Sequence, residues 1–236
     1  MTFTINQLFH TTALLTYVFT VYSAVSVKIP IAAEQFKNFD VGQARYLTVW
    51  NLIIQTVFFL ICIINDCFGT NAASPKKPPF IRRLKDRIHA VLAFPTAMFV
   101  ATIFWSLYAV DRELVFPKVL DPYFPWWLNH LMHTMIMVSI IIETIISPRN
   151  YPKRLKGSLA NVAFMLIYFV WMLIIYAKSG IWVYPIFHVL TLPTRCLFVA
   201  TMLIYNIILY IFGETMDNFF WGNEYIKHQK SHAKSK

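Results

Sequence analysis

The stretch "WWLNHLMHTMIMVSIIIETII" at residues 126–146 decides the fold class, because it is apolar along nearly its whole length. A helix that crosses a bilayer needs about 20 mostly apolar residues, and this stretch meets that requirement. Its first turns nevertheless carry Asn129, His130 and His133. Ionisable side chains are costly within hydrocarbon, so those found there are candidates for function. The stretch therefore predicts a membrane helix with a functional polar face.

The composition extends this prediction to the whole protein, since 58% of the 236 residues are hydrophobic and 14% are charged. Soluble domains carry about 25% charged residues. The formal net charge of +10 is spread between the apolar runs, so nucleic acid is not an expected partner. The three cysteines show neither a disulfide framework nor metal-ligand spacing. We expect an integral membrane protein whose surroundings are membrane lipid.

Six stretches meet the length and hydropathy of a membrane span. Helices are expected, because lipid offers no hydrogen-bond partner to an unpaired backbone group. The predicted fold is therefore an all-α integral membrane protein, with six transmembrane helices in one bundle over residues 1–213 and a basic tail at 214–236. Residues 67–87, rich in prolines and charges, are interpreted as a solvated linker. The predicted spans are 8–27, 46–66, 88–110, 126–147, 158–178 and 187–212.

The distribution of basic residues predicts the orientation of the bundle. The loops 67–87 and 148–157 and the tail together contain 14 Lys and Arg residues, whereas the three other loops contain six. Cytosolic loops carry the excess of positive charge, so both termini are expected in the cytosol. The tail is expected to be flexible and to touch anionic lipid. The expected location is the plasma membrane or the endoplasmic reticulum.

Aromatic residues are expected to mark the outer membrane interface, where amphipathic rings are enriched. Trp126 and Trp127 open the fourth predicted span, and Trp182 and Tyr184 precede the sixth. All four are interpreted as anchors at the level of the lipid headgroups.

Three predicted helices carry polar residues at helical spacing near their outer ends. Because the second, fourth and sixth spans run in the same direction, these polar faces are expected at one depth, around a cavity in the outer half of the membrane. A simpler interpretation, favoured for Asn51, Gln55 and Asn129, is that polar side chains join helices by hydrogen bonds. The three faces consist of Thr48, Asn51 and Gln55, of Asn129, His130, His133 and Thr134, and of His188, Thr191 and Arg195.

A histidine at this depth is able to act as a base and then as an acid, because imidazole titrates near neutral pH. The hydroxyl and thiol groups in the same half of the membrane belong to Thr48, Ser106, Thr134 and Cys196, and the residues alone do not choose among them. Arg195 has two interpretations. It binds a substrate carboxylate or stabilises developing charge, or it forms an ion pair with Glu143, Asp111 or Glu113.

Four ordered stretches are "YLTVWNLIIQTVFF" (46–59), "VLAFPTAMFVATIFWSLYAVDRELVFPK" (91–118), "WLNHLMHT" (127–134) and "GIWVYP" (180–185). Together they resemble the family of the androgen-induced protein and the androgen-dependent TFPI-regulating protein. The resemblance implies a multi-spanning hydrolase that cleaves fatty acid esters of hydroxy fatty acids without a cofactor or metal. It also implies that Thr48 in "YLT" is the nucleophile and that His133 in "NHLMHT" is the catalytic base.

Supporting or substrate-binding roles are expected for Asn51, Asn129, His130, His188 and Arg195, with Asn129 one turn from His133 and able to orient it. Three other functions compete with this interpretation. A transporter would need the polar faces to continue inward, and they stop midway. A metal-dependent lipid oxidase would have to use His130, His133 and His188, which suffice for one Zn²⁺ but not for a di-iron site. A non-enzymatic membrane regulator is the third.

Overall fold

The computed structural model describes residues 4–234, apart from the side chains at positions 31, 33 and 228–234, and this part of the chain is helical and contains no strand. Six of its helices are long and apolar enough to cross a membrane. The prediction of an all-α fold with six spans is therefore confirmed. The helices are α1 (Ile5–Ser26), α2 (Leu47–Phe68), α3 (Phe80–Leu114), α4 (Trp126–Ile146), α5 (Arg154–Ser179) and α6 (Leu192–Lys234).

Local sequence specifies several helix ends. Thr4 caps α1, because its hydroxyl accepts from the Gln7 backbone N–H at 3.3 Å while the Gln7 side chain accepts from the Thr4 N–H at 3.0 Å. Gly180 ends α5 with a φ of +77°, and its N–H donates to the Tyr176 carbonyl across 2.8 Å. Glycine adopts this left-handed conformation without a Cβ clash, so the chain turns sharply there.

The first part of α3, Phe80–Ile88, was expected to lie in a solvated linker, and this prediction is wrong. Arg82 and Asp86 are buried, and Arg82 Nε donates to Asp86 Oδ1 across 2.8 Å. Lys85 is also buried and donates to Ser147 Oγ across 2.6 Å. Three of the charges that suggested exposure to solvent, those of Arg82, Lys85 and Asp86, are instead buried with polar partners inside the protein.

The start of the predicted sixth span is broken, because α6 begins at Leu192 and Ile186–Val189 forms a separate short helix. Pro193 has no N–H to donate to the carbonyl four residues earlier, so a continuous helix would lose a hydrogen bond there. The polar face that His188 was expected to share with Arg195 therefore does not form.

The other end of α6 continues through the boundary expected at residue 213 and reaches Lys234. Tyr225 Oη lies 2.8 Å from Asp217 Oδ2 and accepts from the Arg149 backbone N–H at 3.0 Å. The tail is therefore helical and packed at its start, where a flexible segment was expected. Positions 235–236 lie outside the described residues.

Two π-helical segments interrupt the α-helical hydrogen bonding, His89–Ala93 in α3 and Leu131–Met135 in α4. Pro95 follows the first segment and provides no N–H for the Val91 carbonyl. Asn161 of α5 fills this gap, since its Nδ2 donates to the Val91 carbonyl across 2.7 Å. The second segment contains the histidine of the expected catalytic pair.

The helices pack through aromatic rings and close approaches. Tyr17 of α1 stacks on Phe59 of α2 with ring centroids 5.7 Å apart. Gly157 of α5 lies so close to Tyr210 of α6 that a Cβ would collide with the phenol ring. Phe104 is among the many buried residues of α3, which lies in the centre of the bundle. Large apolar side chains cover the outer surface, as lipid requires.

The two ends of the bundle differ. At one end, residues 27–46, 112–125 and 180–191 line a common cavity with the start of α2, and we call these three segments the cap. At the other end lies a set of buried ionisable residues that we call the charge cluster. It consists of His10, Asp66, Lys85, Glu143 and Arg149.

Candidate active site

Thr48 and His133 come together beneath the cap, where Thr48 Oγ1 lies 3.2 Å from His133 Nε2. His133 Nδ1 lies 3.0 Å from the main-chain carbonyl oxygen of Asn129. Because a carbonyl oxygen can only accept, Nδ1 carries the proton and Nε2 is left as an acceptor for the Thr48 hydroxyl. The pair is therefore arranged for proton transfer from the hydroxyl to the imidazole.

Each partner is held by a distinct local feature. Thr48 is the second residue of α2 and is half-buried. His133 is 6% exposed and lies in the π-helical segment of α4, a conformation that is frequent at functional sites. Phe104 lies flat against the imidazole, with ring centroids 3.6 Å apart and planes 11° apart. The Asn129 carbonyl and the Phe104 ring together fix the orientation of the imidazole.

A cavity of about 450 Å³ lies beside this pair. Its volume falls within the range of roughly 300–1,000 Å³ that is typical of small-molecule sites. α3, α5, α6 and the cap build a mostly apolar wall, so the cavity suits an apolar ligand whose polar group meets Thr48. The wall includes Thr48, His133, Tyr168, Tyr184 and His188, together with Phe99, Phe104, Phe116, Met132, Met165 and Met202.

A chain of hydrogen bonds ties the cap to the start of α2. The Leu47 N–H donates to Tyr184 Oη across 3.0 Å, the two tyrosine hydroxyls lie 2.8 Å apart, and Tyr168 Oη donates to the Arg45 carbonyl across 3.0 Å. Since the amide can only donate and the carbonyl can only accept, the Tyr184 hydroxyl donates to Tyr168. This series of hydrogen bonds could not be predicted from the sequence, because 137 positions separate Leu47 from Tyr184.

Two of the four expected interface anchors have other roles. Tyr184 lies in the cavity wall, and Trp182 is buried, with its ring stacked on Tyr176 at a centroid distance of 4.0 Å. Trp126 and Trp127 are 76% and 38% exposed, as an anchor at the membrane interface requires. The exposed fraction of the side chain therefore distinguishes Trp126 and Trp127 from Trp182 and Tyr184, whereas the residue type does not.

The structure distinguishes the four candidate nucleophiles. Ser106 and Cys196 are exposed on the outer surface of their helices. The Thr134 hydroxyl lies 3.1 Å from His130 Nδ1 and accepts from Trp105 Nε1 at 3.2 Å. Within residues 4–234, Thr48 alone among the four candidates forms a hydrogen bond with His133.

The expected supporting residues of α2 and α4 are placed differently from one another. Asn51 is fully buried, and its Oδ1 accepts from Gln55 Nε2 at 3.1 Å, which is a packing contact. Asn129 orients His133 through its main-chain carbonyl rather than through its side chain. His130 is exposed and stacks on Trp105 with ring centroids 5.2 Å apart, outside the cavity.

His188 and Arg195 also separate from each other. His188 is exposed and lines the rim of the cavity. Arg195 Nε donates to the Phe187 carbonyl across 2.8 Å, and its guanidinium lies over the Trp182 ring at 5.0 Å. The expected ion pair with Glu143, Asp111 or Glu113 is not formed among the described residues, because Glu143 lies in the charge cluster and the helix break turns Arg195 toward the cap backbone.

The three histidines that a metal-dependent oxidase would use do not converge, since His130 points away from the cavity. A set of atoms compatible with a metal lies instead at the opposite end, where donor atoms of His10, Cys62 and Glu143 are within 4.8 Å of one another. Both ring nitrogens of His10 already contact carboxylates, Asp66 at 2.5 Å and Glu143 at 2.8 Å. Ionic contacts therefore account for this set.

The fold and the pair define a class, a six-span helical membrane protein with a threonine–histidine pair on an apolar cavity. The FAR-17a/AIG1-like protein family model matches residues 5–218, and the chain belongs to this family. It is 38% identical to the androgen-dependent TFPI-regulating protein of Rattus norvegicus over 94% of this chain and 96% of that one. It is 36% identical to the androgen-induced gene 1 protein of Homo sapiens over 78% and 79% of the two chains. No solved structure is significantly similar to it.

Proposed function

We propose that the protein is a membrane hydrolase that cleaves fatty acid esters of hydroxy fatty acids, with Thr48 as the nucleophile and His133 as the general base. The observation that carries the proposal is the 3.2 Å contact between Thr48 Oγ1 and His133 Nε2 on the wall of an apolar cavity. The reaction class follows from this pair, and the substrate class follows from the resemblance to the family.

The proposed reaction has two acyl transfers. His133 Nε2 takes the proton of Thr48, and the alkoxide oxygen attacks the ester carbonyl. The imidazolium then protonates the departing alkoxide, so the hydroxy fatty acid leaves and an acyl-threonine remains. A water molecule next gives a proton to His133 and attacks the acyl carbonyl. Cleavage of the acyl–threonine bond releases the fatty acid and returns the proton to Thr48.

The surroundings of the pair support a lipid substrate. Moving an acyl chain from water into an apolar environment is favourable by about 0.8 kcal/mol per CH₂, so such an ester resides in the bilayer. An apolar cavity within the bundle receives the chain without exposing it to water. His188 lies at the exposed rim, and we propose that it binds the free carboxylate, which is one of the two roles considered for Arg195.

Hydrolysis of a panel of branched lipid esters by the purified full-length protein tests the proposal. Thr48→Ala is expected to lose turnover to background, whereas Thr48→Ser retains a hydroxyl and part of the activity. Ser106→Ala is the matched control, because it removes an exposed hydroxyl outside the cavity and is expected to leave turnover unchanged. Full turnover by Thr48→Ala would reject the nucleophile, and no turnover by the wild type would favour a regulator or a transporter.

We also propose that the cap faces the extracytoplasmic side, on the basis of the basic residues in the opposite loops. Glu34 in the cap is exposed, as is Arg154 at the other end. In a background with Cys67→Ser and Cys196→Ser, an impermeant maleimide applied to intact cells or sealed microsomes distinguishes the two sides. For a plasma-membrane protein, Glu34→Cys should be labelled and Arg154→Cys protected. The reverse labelling pattern on intact cells would show that the cap faces the cytosol.

A further inference from the structure

The proposed reaction places a negative charge on the former carbonyl oxygen each time a nucleophile attacks. Hydrolases stabilise this oxyanion with hydrogen-bond donors that are already in position, and removal of one donor lowers turnover roughly 10²–10³-fold. None of the expected supporting residues fills this role. His188 lies at the exposed rim of the cavity, and the cavity wall does not include Asn51, Asn129, His130 or Arg195.

We infer that the Tyr184 hydroxyl, together with the backbone N–H of Thr48, donates hydrogen bonds to the oxyanion. This inference rests on the proposed hydrolase function and adds a catalytic residue to it. Tyr184 lines the same cavity as Thr48 and His133. Its oxygen accepts from the Leu47 N–H at 3.0 Å, which places the hydroxyl beside the Tyr46–Leu47 peptide group, one residue before Thr48.

The start of α2 supplies the second donor. Thr48 is the second residue of the helix, and the first four N–H groups of a helix have no intrahelical acceptor. The amide of the nucleophile is thus oriented toward the open end of the helix, where the peptide dipoles favour negative charge. A nucleophile that supplies its own N–H to the oxyanion is also the arrangement of the serine proteases.

The hydroxyl chain allows Tyr184 to change partner at little cost. In the free protein Tyr184 donates to Tyr168, and Tyr168 donates in turn to the Arg45 carbonyl. When the oxyanion forms, Tyr184 turns its hydroxyl from Tyr168 to the charged oxygen and exchanges a neutral hydrogen bond for a stronger, charge-assisted one. Tyr168 keeps its bond to Arg45 throughout.

The protonation state of Tyr184 agrees with a donor role. Burial of the hydroxyl in the cavity wall raises the pKa of Tyr184 to about 12, although the Leu47 N–H that donates to its oxygen opposes this rise. The group therefore stays protonated at neutral pH. The Leu47 N–H that donates to its oxygen polarises the O–H bond and strengthens it as a donor.

Comparison of Tyr184→Phe with Tyr168→Phe tests the inference, because either variant breaks the chain that holds the start of α2. An oxyanion role predicts that Tyr184→Phe lowers kcat roughly 10²–10³-fold with little change in KM, while Tyr168→Phe loses less than about tenfold. Equal losses in the two variants would mean that Tyr184 only positions the helix, and would overturn the inference.

A second measurement does not depend on how much of each variant folds. The probes are a lipid trifluoromethyl ketone, which forms a tetrahedral oxyanion on Thr48, and the matched lipid ether, which forms none. Tyr184→Phe should weaken the ketone by the same factor as kcat/KM and leave ether binding unchanged. Equal weakening of both probes would contradict the inference.

Thr48→Ala separates the two claims. If it retains turnover, the nucleophile assignment and the oxyanion site fail together. If it is inactive and Tyr184→Phe behaves like Tyr168→Phe, the hydrolase proposal stands and the Tyr184 assignment is wrong.

Discussion

The two polar regions at opposite ends of the bundle differ in how their groups are paired. In the charge cluster, His10 lies 2.5 Å from Asp66 and 2.8 Å from Glu143, and Lys85 and Arg149 lie 3.9 and 3.8 Å from the other Glu143 oxygen. At the cavity, by contrast, two neutral groups meet beside open volume. The described cavity wall contains none of the five cluster residues.

This difference separates a structural use of buried polar groups from the chemical use that we propose for the cavity. The charge cluster joins α1, α2, α3 and α4 through opposite charges, so each of its residues is engaged by the others. The threonine–histidine pair leaves one side open to a ligand. A buried ionisable group in a membrane protein is therefore a better candidate for a reactive site when an accessible volume lies next to it.

The largest effect on turnover is expected from His133→Ala, which removes the proposed base. General acid–base catalysis contributes roughly 10²–10⁴-fold, so kcat should fall by that factor. His130→Ala is the matched control, since this imidazole lies outside the cavity and its loss should change kcat by less than about threefold. Steady-state kinetics on the lipid ester would contradict the comparison if the two variants were equally impaired.

Thermal unfolding in detergent, unlike turnover, should be most sensitive to substitutions in the charge cluster. Glu143→Ala leaves His10, Lys85 and Arg149 without their shared carboxylate, and breaking a buried ion pair destabilises by about 3–5 kcal/mol. The control Glu34→Ala removes an exposed pair with Lys37 and should change stability by less than about 1 kcal/mol. An unchanged melting temperature for Glu143→Ala would show that the charge cluster is not structural.

A smaller effect is expected from Phe104→Leu, which removes the ring that lies against His133. Loss of orientation should lower kcat roughly tenfold to a hundredfold without removing any group that exchanges protons. Phe99→Leu takes a similar volume from the cavity wall but leaves the imidazole contact intact. A larger kcat loss in Phe99→Leu than in Phe104→Leu would show that cavity shape, not ring orientation, controls turnover.

The smallest effect is expected from Asn129→Ala. His133 Nδ1 donates to the main-chain carbonyl of this residue, which alanine retains, so kcat should stay within about threefold of wild type. Kinetics of Asn129→Ala and Asn129→Asp measure this directly. A loss of kcat near a hundredfold would show that the Asn129 side chain orients His133.

Features encoded by local pattern could be predicted from the sequence. Long apolar runs predicted all six helices, and the shared direction of the second and fourth spans predicted that Thr48 and His133 lie at the same end of the bundle. The choice of Thr48 among four candidate nucleophiles needed the resemblance to the family, because residue spacing within each helix says nothing about contacts between helices.

Features that depend on tertiary partners could not be predicted. The charges of Phe80–Ile88 suggest exposure to solvent, and the burial of Arg82 and Lys85 is explained only by the Pro148 carbonyl and Ser147 found beside them. The π-helical segment around His133 has no pattern of its own in the sequence. Its place in the sequence suggested that Tyr184 is an interface anchor. Its hydrogen bond with Leu47 forms only when the cap folds, so no local pattern predicted it.

Trapping the covalent intermediate is the most direct test of Thr48 as the nucleophile. The wild-type protein is mixed with a branched lipid ester, quenched in acid within one turnover and analysed by peptide mass spectrometry. The proposed mechanism predicts the mass of the fatty acyl group on Thr48, no such adduct in Thr48→Ala, and release of the acyl group as turnover continues. An acyl group on another residue, or turnover by the Thr48→Ala variant, would contradict it.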